Sequence, residues 1–311
     1  TTDSSGKFRI SGILPKSYTL QFTSVGYNEV TLFNIVITSG NEINLTVQLE
    51  PSITRLEDVV IKSSRRTAVA ASLETPLSVQ RLTTEEIRSN PGGNFDISRV
   101  IQALPGVGGT AGSVGGFRND IIIRGGAPNE NVYYLDGIEI PVINHFVTQG
   151  SAGGPTGILN VSFLEDVKLS SSAFDARYDN ALSSVLQFRQ RNGNPNSLQG
   201  NIRLSGTELA GTFEGPLSKN TTFLASARRS YLQLLFKAID LPIRPNYWDF
   251  QYKVNHRIDR KTTLTLIGVG AIDDFSFAAP RKATPEKLYV LDATAPIHQW
   301  NYTRGANTRR Q

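Results

Sequence analysis

The residue types that carry out most enzyme and metal chemistry are few and scattered in this chain of 311 residues. There is no cysteine, and the three histidines, His145, His256 and His298, form no metal-ligand spacing. No serine lies in a nucleophile-elbow pattern. The adjacent carboxylates Glu85 and Glu86 suit the N-terminus of a helix better than acid–base catalysis. The sequence therefore argues against an enzyme, a bound cofactor, a metal site and a disulfide framework.

Charge and hydropathy exclude two further classes. The formal net charge is +5, but the basic residues are scattered and cluster only at Arg65-Arg66 and near Arg309-Arg310. A scattered distribution argues against nucleic-acid binding. No window approaches 18 consecutive apolar residues, so the sequence predicts no transmembrane helix.

One lone arginine has an unusual position. Arg124 ends the apolar run Ile121–Ile123, and a second apolar run, Val132–Leu135, is stopped by Asp136-Gly137. Both runs have the length of short strands, and Asp-Gly is a strong turn signal. Because a charge at the end of a buried strand needs a partner, we expect Arg124 to be paired.

The elements before this motif divide into two parts. Residues 1–50 are predicted to be strand-rich, with half-buried strands bounded by Gly, Pro or Asn. The expected strands are Lys7–Ile10, Ser17–Thr23, Glu29–Thr38 and Glu42–Leu49. Residues 51–66 are predicted to be a linker whose centre, Leu56–Ile61, is acidic and then aliphatic. This hexapeptide is either an exposed extended segment or an ordinary first strand of the next domain.

Residues 67–193 are predicted to form an α+β domain. Thr83 and Glu86 form a capping box for one helix, and Asp96 is a candidate N-cap for a second helix that Pro105-Gly106 would end. Two glycine-rich stretches, Gly108–Gly116 and Gly150–Gly157, are predicted to be loops. Strands are expected to return at Leu164–Leu169 and Ser183–Arg189.

The pattern changes in residues 194–311, where apolar and polar residues alternate over segments of about ten residues. The alternation is sharpest in Trp248–Ile258, and turns are expected at Pro216–Asn220 and Asp259–Lys261. Such segments are typical of a transmembrane barrel, with Tyr247, Trp248 and Tyr252 suited to an interfacial aromatic girdle. A water-soluble antiparallel sheet with one wet face would give similar alternation.

The motif Ile-Arg-Gly at 123–125, followed by Tyr-Leu-Asp-Gly at 134–137, resembles the plug domain of TonB-dependent outer-membrane receptors. Flanking blocks in the family's order extend the resemblance over about a hundred residues. These blocks are Thr83–Ile87, Val100–Val107, Leu164–Val167 and Phe174–Tyr178. Residues 1–50 resemble the second half of a carboxypeptidase-regulatory-like β-sandwich, a module that often precedes the plug in receptors of the Bacteroidetes type.

The resemblance implies a mixed fold. It consists of a partial β-sandwich at 1–50, a linker with a TonB box at 51–66, a plug domain at 67–193 and antiparallel strands of a 22-stranded transmembrane β-barrel at 194–311. The residues after Gly193 have room for only about five or six strands. We therefore expect the chain to be an N-terminal fragment of a receptor.

The implied function is import of a nutrient, whether glycan, peptide or metal chelate, across the outer membrane by TonB-driven rearrangement of the plug. The N-terminal module and plug would face the periplasm. The implied partners are TonB with its ExbB/ExbD energy complex, outer-membrane lipid, a nutrient ligand and, in some relatives, a surface lipoprotein. The alternative is a non-transporting periplasmic or surface protein built from β-sandwiches for adhesion or interaction.

The resemblance also implies site residues. The TonB contact would be Asp58, Val59, Val60 and Ile61. The plug's structural and lock residues would be Arg124, Gly125, Asp136 and Gly137. Arg124 would pair with glutamates of the barrel wall or, locally, with Glu139 or Asp136. Candidate ligand-loop residues are Gly112, Gly115, His145 and Phe146.

Overall fold

The structure is a computed structural model. It describes residues 2–3, 6–14, 17–37, 43–50, 79–83, 86–87, 96–109, 119–148, 150–154, 156–171, 174, 177–293 and 295–310. The chain divides into two compact units, Thr1–Ser64 and Arg65–Gln311.

Within its described residues, the first unit contains one antiparallel hairpin. Strand β1 is Ser17–Phe22 and strand β2 is Val30–Val36, and their pairing contains one register irregularity between Tyr18 and Leu20. The strand expected at Lys7–Ile10 is wrong, and the described part of Glu42–Leu49, residues 43–49, is not a strand either. Alternating side chains do not make a strand unless a neighbouring backbone supplies its hydrogen-bonding partners.

The second unit begins with an α+β domain built on a mixed five-stranded sheet. The strands in it run in the order β3-β8-β9-β6-β7, antiparallel except for the parallel pair β6–β9. A second, two-stranded sheet pairs β4 with β5. The elements are β3 Val79–Thr83, α1 Ile97–Gln102, β4 Val107–Gly108, β5 Ile122–Ile123, β6 Asn131–Leu135, β7 Ile138–Ile140, β8 Leu164–Ser171 and β9 Ser184–Gln190.

Helix α1 begins where the sequence predicts. Asp96 is its N-cap, and its side chain accepts a hydrogen bond from the backbone N–H of Ser98 at 3.0 Å. The helix buries Ile97, Val100 and Ile101 against the mixed sheet. The earlier helix expected through Ser89 lies mostly outside the described residues.

The core of the α+β domain is apolar. Its fully buried side chains come from both sheets, from α1 and from the loop after β7, and include Ile101, Ile121, Leu135, Ile143 and Phe188. Apolar burial of this kind supplies about 25 cal/mol per Å² removed from water. The domain therefore follows the usual rule of a water-soluble fold, with apolar side chains inside.

The rest of the unit is a six-stranded antiparallel meander, hereafter the antiparallel sheet. Its strands are β10 Gln199–Leu204, β11 Glu208–Ser218, β12 Thr221–Ser230, β13 Ile243–Arg257, β14 Thr262–Phe277 and β15 Ile297–Arg310. At one end the strands are joined by tight turns after Ser218 and Arg257. At the other end lie helices α2, Leu232–Ala238, and α3, Pro285–Ala293.

The antiparallel sheet has inverted polarity. On β13, Asp249, Gln251 and Lys253 are buried against the α+β domain, while Trp248 points outward and is 48% exposed. On the outer face of the neighbouring strands, Ile272 is 52% exposed and Trp300 is 77% exposed. Charged and amide side chains of β13 thus lie inside, and large apolar side chains lie on the outer face of the sheet.

One predicted girdle residue is on the wrong face. Tyr247 was expected beside Trp248 and Tyr252, but it is 2% exposed and faces the α+β domain. The reason is the period of a strand, because adjacent residues project to opposite faces. Trp248 and Tyr252 project outward together with Trp300 and Tyr302.

Candidate functional site

The site is the contact between the α+β domain and the inner face of the antiparallel sheet. Two tight turns of the α+β domain are motifs that the sequence singled out, and the one at Asp136-Gly137 contacts the antiparallel sheet. Asp136 and Gly137 have φ values of 49° and 84°, which fits the two-residue turn joining β6 to β7. Arg124 and Gly125 have φ values of 49° and 81°, and Gly126 N donates to Ile123 O at 2.9 Å to close that turn.

Asp136 connects the α+β domain to the antiparallel sheet. Its carboxylate accepts hydrogen bonds from the backbone N–H of Gln190 at 2.9 Å and from Gln190 Nε2 at 3.0 Å. On the antiparallel sheet, Lys253 Nζ lies 3.2 Å from Asp136 Oδ2 and donates to Gln190 O at 2.7 Å. Asn307 Nδ2 donates to the backbone carbonyl of Asp136 at 3.0 Å. The Asp-Gly turn is therefore held by β9, β13 and β15 together.

Arg124 has a different environment. Its side chain is exposed and its backbone N–H donates to Gly106 O at 3.1 Å. By contrast, Asp136 in the turn between β6 and β7 contacts the antiparallel sheet, where it faces Lys253. The pairing of Arg124 with a glutamate of a barrel wall stays a prediction.

His145 lies deeper in the contact and is completely buried. Its Nδ1 lies 2.6 Å from Asp273 Oδ1 on β14, and its Nε2 lies 3.1 Å from Asp249 Oδ2 on β13. The imidazole stacks on the ring of Tyr247, with 3.7 Å between ring centroids. The backbone N–H of Phe146 donates to Asp273 Oδ2 at 2.8 Å.

Arg228 on β12 continues this buried network. Its Nε donates to Asp249 Oδ2 at 2.6 Å, and a guanidinium nitrogen donates to the backbone carbonyl of Gly157. Its Nη1 lies 3.6 Å from Glu208 Oε2, and its guanidinium carbon lies 5.4 Å from the centroid of the Tyr247 ring. Buried charges are stable only when they are paired. This network therefore holds the loop of the α+β domain that contains His145 and Gly157 against the antiparallel sheet.

Two further polar contacts widen the interface. Gln251 Nε2 donates to Gln190 Oε1 at 2.7 Å, and Asn160 N donates to Gln251 Oε1 at 2.8 Å. Arg191, just after β9, makes a two-pronged ion pair with Glu214 on β11, with the second N–O contact at 2.8 Å. Two-pronged pairs fix orientation as well as charge.

An apolar contact accompanies the polar ones. The β14 residues Ile267, Val269 and Ala271 face inward and join the core of the α+β domain. A Cβ on Gly305 would lie 2.5 Å from the side chain of Ile138, so the glycine permits the close approach of β7 to β15.

The structure describes only some of the predicted ligand and TonB residues. Gly112, Gly115 and the segment 58–61 lie outside the described residues. Phe146 is 7% exposed and packs edge-on against Tyr247 and Phe275. His145 and Phe146 are thus placed in the contact between the two regions, and this placement argues against a role in presenting a ligand surface.

Sequence reasoning did not identify Asp249, Asp273, Arg228 or Lys253 as members of this contact. A signal was present, since Asp249, Gln251 and Lys253 are the polar half of the alternation in β13. On a strand whose apolar face meets lipid, the polar face is the one that meets protein or water.

Comparison with known proteins gives a family match for each of two regions of the chain. Residues 71–185 match the TonB-dependent Receptor Plug Domain, and residues 1–61 match the CarboxypepD_reg-like domain. The ferrienterobactin receptor of Escherichia coli is 33% identical over 122 residues, which are 37% of this chain and 16% of that protein. Within the described residues, no helix is both long and apolar enough to cross a membrane.

Solved structures share the fold. A ferric enterobactin receptor of Pseudomonas aeruginosa superposes with a TM-score of 0.51 at 18% identity, covering 75% of this chain and 38% of the receptor. The pyoverdine-bound FpvA of P. aeruginosa superposes with a TM-score of 0.52 at 16% identity, covering 76% and 32% respectively. The chain thus spans less than half the length of these relatives.

The expected combination of plug domain and antiparallel barrel strands is confirmed. The α+β domain, hereafter the plug, matches the plug domain, and the antiparallel sheet shares the fold of barrel strands in these solved structures. The chain thus contains a region similar to the plug of TonB-dependent receptors and, at 1–61, a region similar to the CarboxypepD_reg-like domain.

Proposed function

We propose that the protein is an outer-membrane receptor that imports a nutrient by TonB-driven movement of its plug. The observation that carries this proposal is the inverted polarity of the antiparallel sheet. Its buried face carries Lys253, Arg228 and Asp249, which bind the plug beside the apolar residues of β14, while its outer face exposes large apolar side chains. A sheet of this kind is stable where lipid lies outside and protein or water lies inside.

The contact also suits a plug that must move. Beside the apolar contact of β14, it contains hydrogen bonds and ion pairs, such as those of Asp136, His145 and Arg191. Water entering a displaced interface can replace hydrogen bonds, whereas an exposed apolar surface would have no compensating partner. The polar part of the interface therefore holds the plug firmly when dry and lets it separate when hydrated.

Movement needs an external source of work, because the outer membrane has no ATP supply. In the proposal, TonB with its ExbB/ExbD complex adds a strand to Asp58–Ile61 and pulls on the plug. Strand addition requires an extended segment with unpaired backbone groups and alternating side chains. The acidic-then-aliphatic sequence of this segment, between the two matched domains, supports the assignment.

The transported ligand is proposed from the relatives. The matched proteins include a ferrienterobactin receptor and receptors for ferric enterobactin and pyoverdine. A ferric siderophore is therefore the first ligand class to test, with glycans and peptides as the alternatives. The experiment is uptake of radiolabelled ferric enterobactin, and of labelled oligosaccharides and peptides, by cells with and without the full-length receptor.

The TonB contact gives the sharpest test of the mechanism. Val60→Pro removes a backbone N–H and should abolish uptake while ligand binding to whole cells persists. Val60→Thr is the matched control, since it keeps both the N–H and the branched side chain. Normal uptake by the proline variant would rule out this segment as the TonB contact.

Localisation is tested separately. The full-length protein should fractionate with outer membranes and migrate faster on a gel before heating than after it. Recovery in the soluble periplasmic fraction would instead favour a β-sandwich adhesion or interaction protein.

A further inference from the structure

His145 is the one imidazole of the described residues that is buried between the plug and the antiparallel sheet, and both of its ring nitrogens face carboxylates. We infer that His145 is a doubly protonated cation that clasps the plug to strands β13 and β14. The inference rests on the proposed function in one respect, namely that this contact serves to hold the plug closed.

The first step is that both carboxylates carry charge. Asp273 Oδ2 accepts from the backbone N–H of Phe146 and from Gln299 Nε2, both at 2.8 Å. Asp249 Oδ2 accepts from Arg228 Nε at 2.6 Å. Hydrogen-bond donors that point at a carboxylate favour its ionised form. The proton between each aspartate and His145 is therefore carried by the imidazole.

The second step follows from the imidazole itself. A neutral ring has one N–H and one bare nitrogen, and the bare nitrogen accepts but cannot donate. With acceptor oxygens 2.6 Å from Nδ1 and 3.1 Å from Nε2, a neutral His145 would place a lone pair against a carboxylate. Only the imidazolium donates on both sides.

The third step is the charge of the whole cluster. The groups that face one another here are Glu208 on β11, Arg203 on β10, Arg228 on β12, Asp249 on β13, Asp273 on β14 and His145 of the plug. Asp96 of the plug also faces Arg228, and Arg99 lies 3.6 Å from the Asp96 carboxylate. Tyr247 and Gln299 are neutral hydrogen-bonding groups. Four carboxylates then face three guanidiniums, so the cluster is balanced only when His145 supplies the fourth positive charge.

The role of His145 is therefore positional. The backbone of its loop is also tied to the antiparallel sheet, since Phe146 N donates to Asp273 on β14, and Arg228 on β12 donates to Gly157 O. Loss of the imidazolium charge would leave two buried carboxylates facing each other across the ring and would release the loop between 143 and 157. Buried ion pairs are costly to break from one side, because the remaining charge loses its partner.

The test is a double-mutant cycle in the full-length receptor, read by hydrogen exchange of the amides in residues 143–158. His145→Gln keeps polar atoms but removes the charge, and should speed exchange by at least about 100-fold. Asp273→Asn alone should also speed exchange. The pair His145→Gln/Asp273→Asn restores charge balance and should lie within about 10-fold of the wild type.

The structure supplies a matched control. His298 Nδ1 on β15 lies 3.1 Å from Asp274 Oδ1 on the adjacent strand β14, but both side chains are exposed, at 68% and 44%. The cycle His298→Gln and Asp274→Asn should be additive, because exposed pairs contribute little. Additive effects at His145 and Asp273, or an unchanged exchange rate in His145→Gln, would overturn the inference.

A second measurement decides the matter if His145→Gln does not fold. Nitrogen-15 NMR of the histidine-labelled wild-type receptor should show a solvent-shielded imidazole, in contact with the Tyr247 ring, with protons on both nitrogens. One bare ring nitrogen there would refute the clasp. Neither measurement needs TonB or a ligand, so failure of the clasp would leave the import proposal standing, and failed uptake would leave the clasp standing.

Discussion

The plug domain and the antiparallel sheet solve the burial problem in opposite ways. In the plug, Leu135 and Phe188 are buried in an apolar core. In the sheet, Gln251 and Lys253 are buried, whereas Trp300 on the outer face is 77% exposed. Both regions are β-rich and belong to one compact unit, so the difference does not come from secondary structure.

The difference shows how the surrounding medium selects the sequence pattern. A side chain is buried favourably when its new neighbours are better partners than the solvent it leaves. The plug faces its own apolar core, so apolar residues go inside. The sheet faces a polar plug on one side, and its outer face has a composition suited to hydrocarbon. Each prediction below tests one side of this contrast.

The largest effect is expected where the sheet buries a charge against the plug. Lys253→Met fills the same volume but leaves Asp136 without its cation, which should weaken plug attachment by about 3–5 kcal/mol. The measurement is the urea concentration at which the plug of the full-length receptor becomes sensitive to protease. The unheated receptor should still migrate faster on a gel than the heated one, because the substitution does not alter the outer face.

The compensating variant makes this prediction specific. In Asp136→Asn/Lys253→Met both charges are gone, and asparagine before glycine suits the β6–β7 turn. Most of the lost stability should therefore return. If the double variant is as weak as Lys253→Met, the lysine contributes packing rather than charge pairing.

The next effect concerns the outer face. Phe213 lies near the middle of β11 and is 50% exposed. Phe213→Lys would place a charge among lipid-facing side chains and should cost about 2–4 kcal/mol of folding free energy in vesicles. The matched control is Phe213→Leu, which also uncovers Gly200 but adds no charge. Equal stability of the lysine and leucine variants would mean that this face meets water.

The local elements of both regions were predictable because their signals are local. Asp96 before an apolar periodic run fixed the start of α1, and Asp136-Gly137 fixed the turn between β6 and β7. The alternation in Trp248–Ile258 correctly separated the two faces of β13. Capping, turn geometry and strand period depend on a few neighbouring residues and can be inferred without the fold.

The contacts of the buried network were not predictable, because they join residues about 60 to 170 positions apart, and only the pair Arg191–Glu214 among those described above spans as few as 23. The sequence indicated that Arg124 needs a partner, yet it gave no means of pairing His145 with Asp273 or Asp136 with Lys253. The misplacement of Tyr247 has a simpler cause. It adjoins Trp248, and composition suggested an aromatic cluster where strand period places the two rings on opposite faces.

A smaller effect is expected inside the plug. Asp96 caps α1 and also accepts from Asn119 Nδ2 at 2.9 Å, and burial raises the pKa of its carboxyl. Asp96→Ala should lower plug stability by about 1–2 kcal/mol. Asp96→Ser keeps a capping oxygen but not the reach to Asn119, so it separates the two contributions. A plug with unchanged urea resistance in both variants would show that neither contact contributes.

The smallest effect lies at the end of the antiparallel sheet that carries the helices, where charges meet water instead of the plug. Asp240 binds Lys287 Nζ at 2.6 Å and accepts from the backbone N–H of Arg281 at 2.7 Å, so it ties the loop before α3 to the end of α2. The bond to Lys287, and then the one to Arg281, lower the pKa of Asp240 to about 2. The ordinary aspartate value is about 3.9.

Because the folded pKa is the lower one, this stabilisation is fully present above about pH 4 and is lost as the pH falls through about 2. Hydrogen exchange of residues 281–293 should therefore rise slightly in Asp240→Asn at pH 7, and the wild type should converge on the variant near pH 2. Asp259→Asn is the control, since that carboxylate caps only its own turn through Lys261 N and Thr262 N. If Asp240→Asn destabilised the receptor as much as Lys253→Met, the contrast with the plug interface would be wrong. The ion pair in contact with water would then contribute as much stability as the buried one.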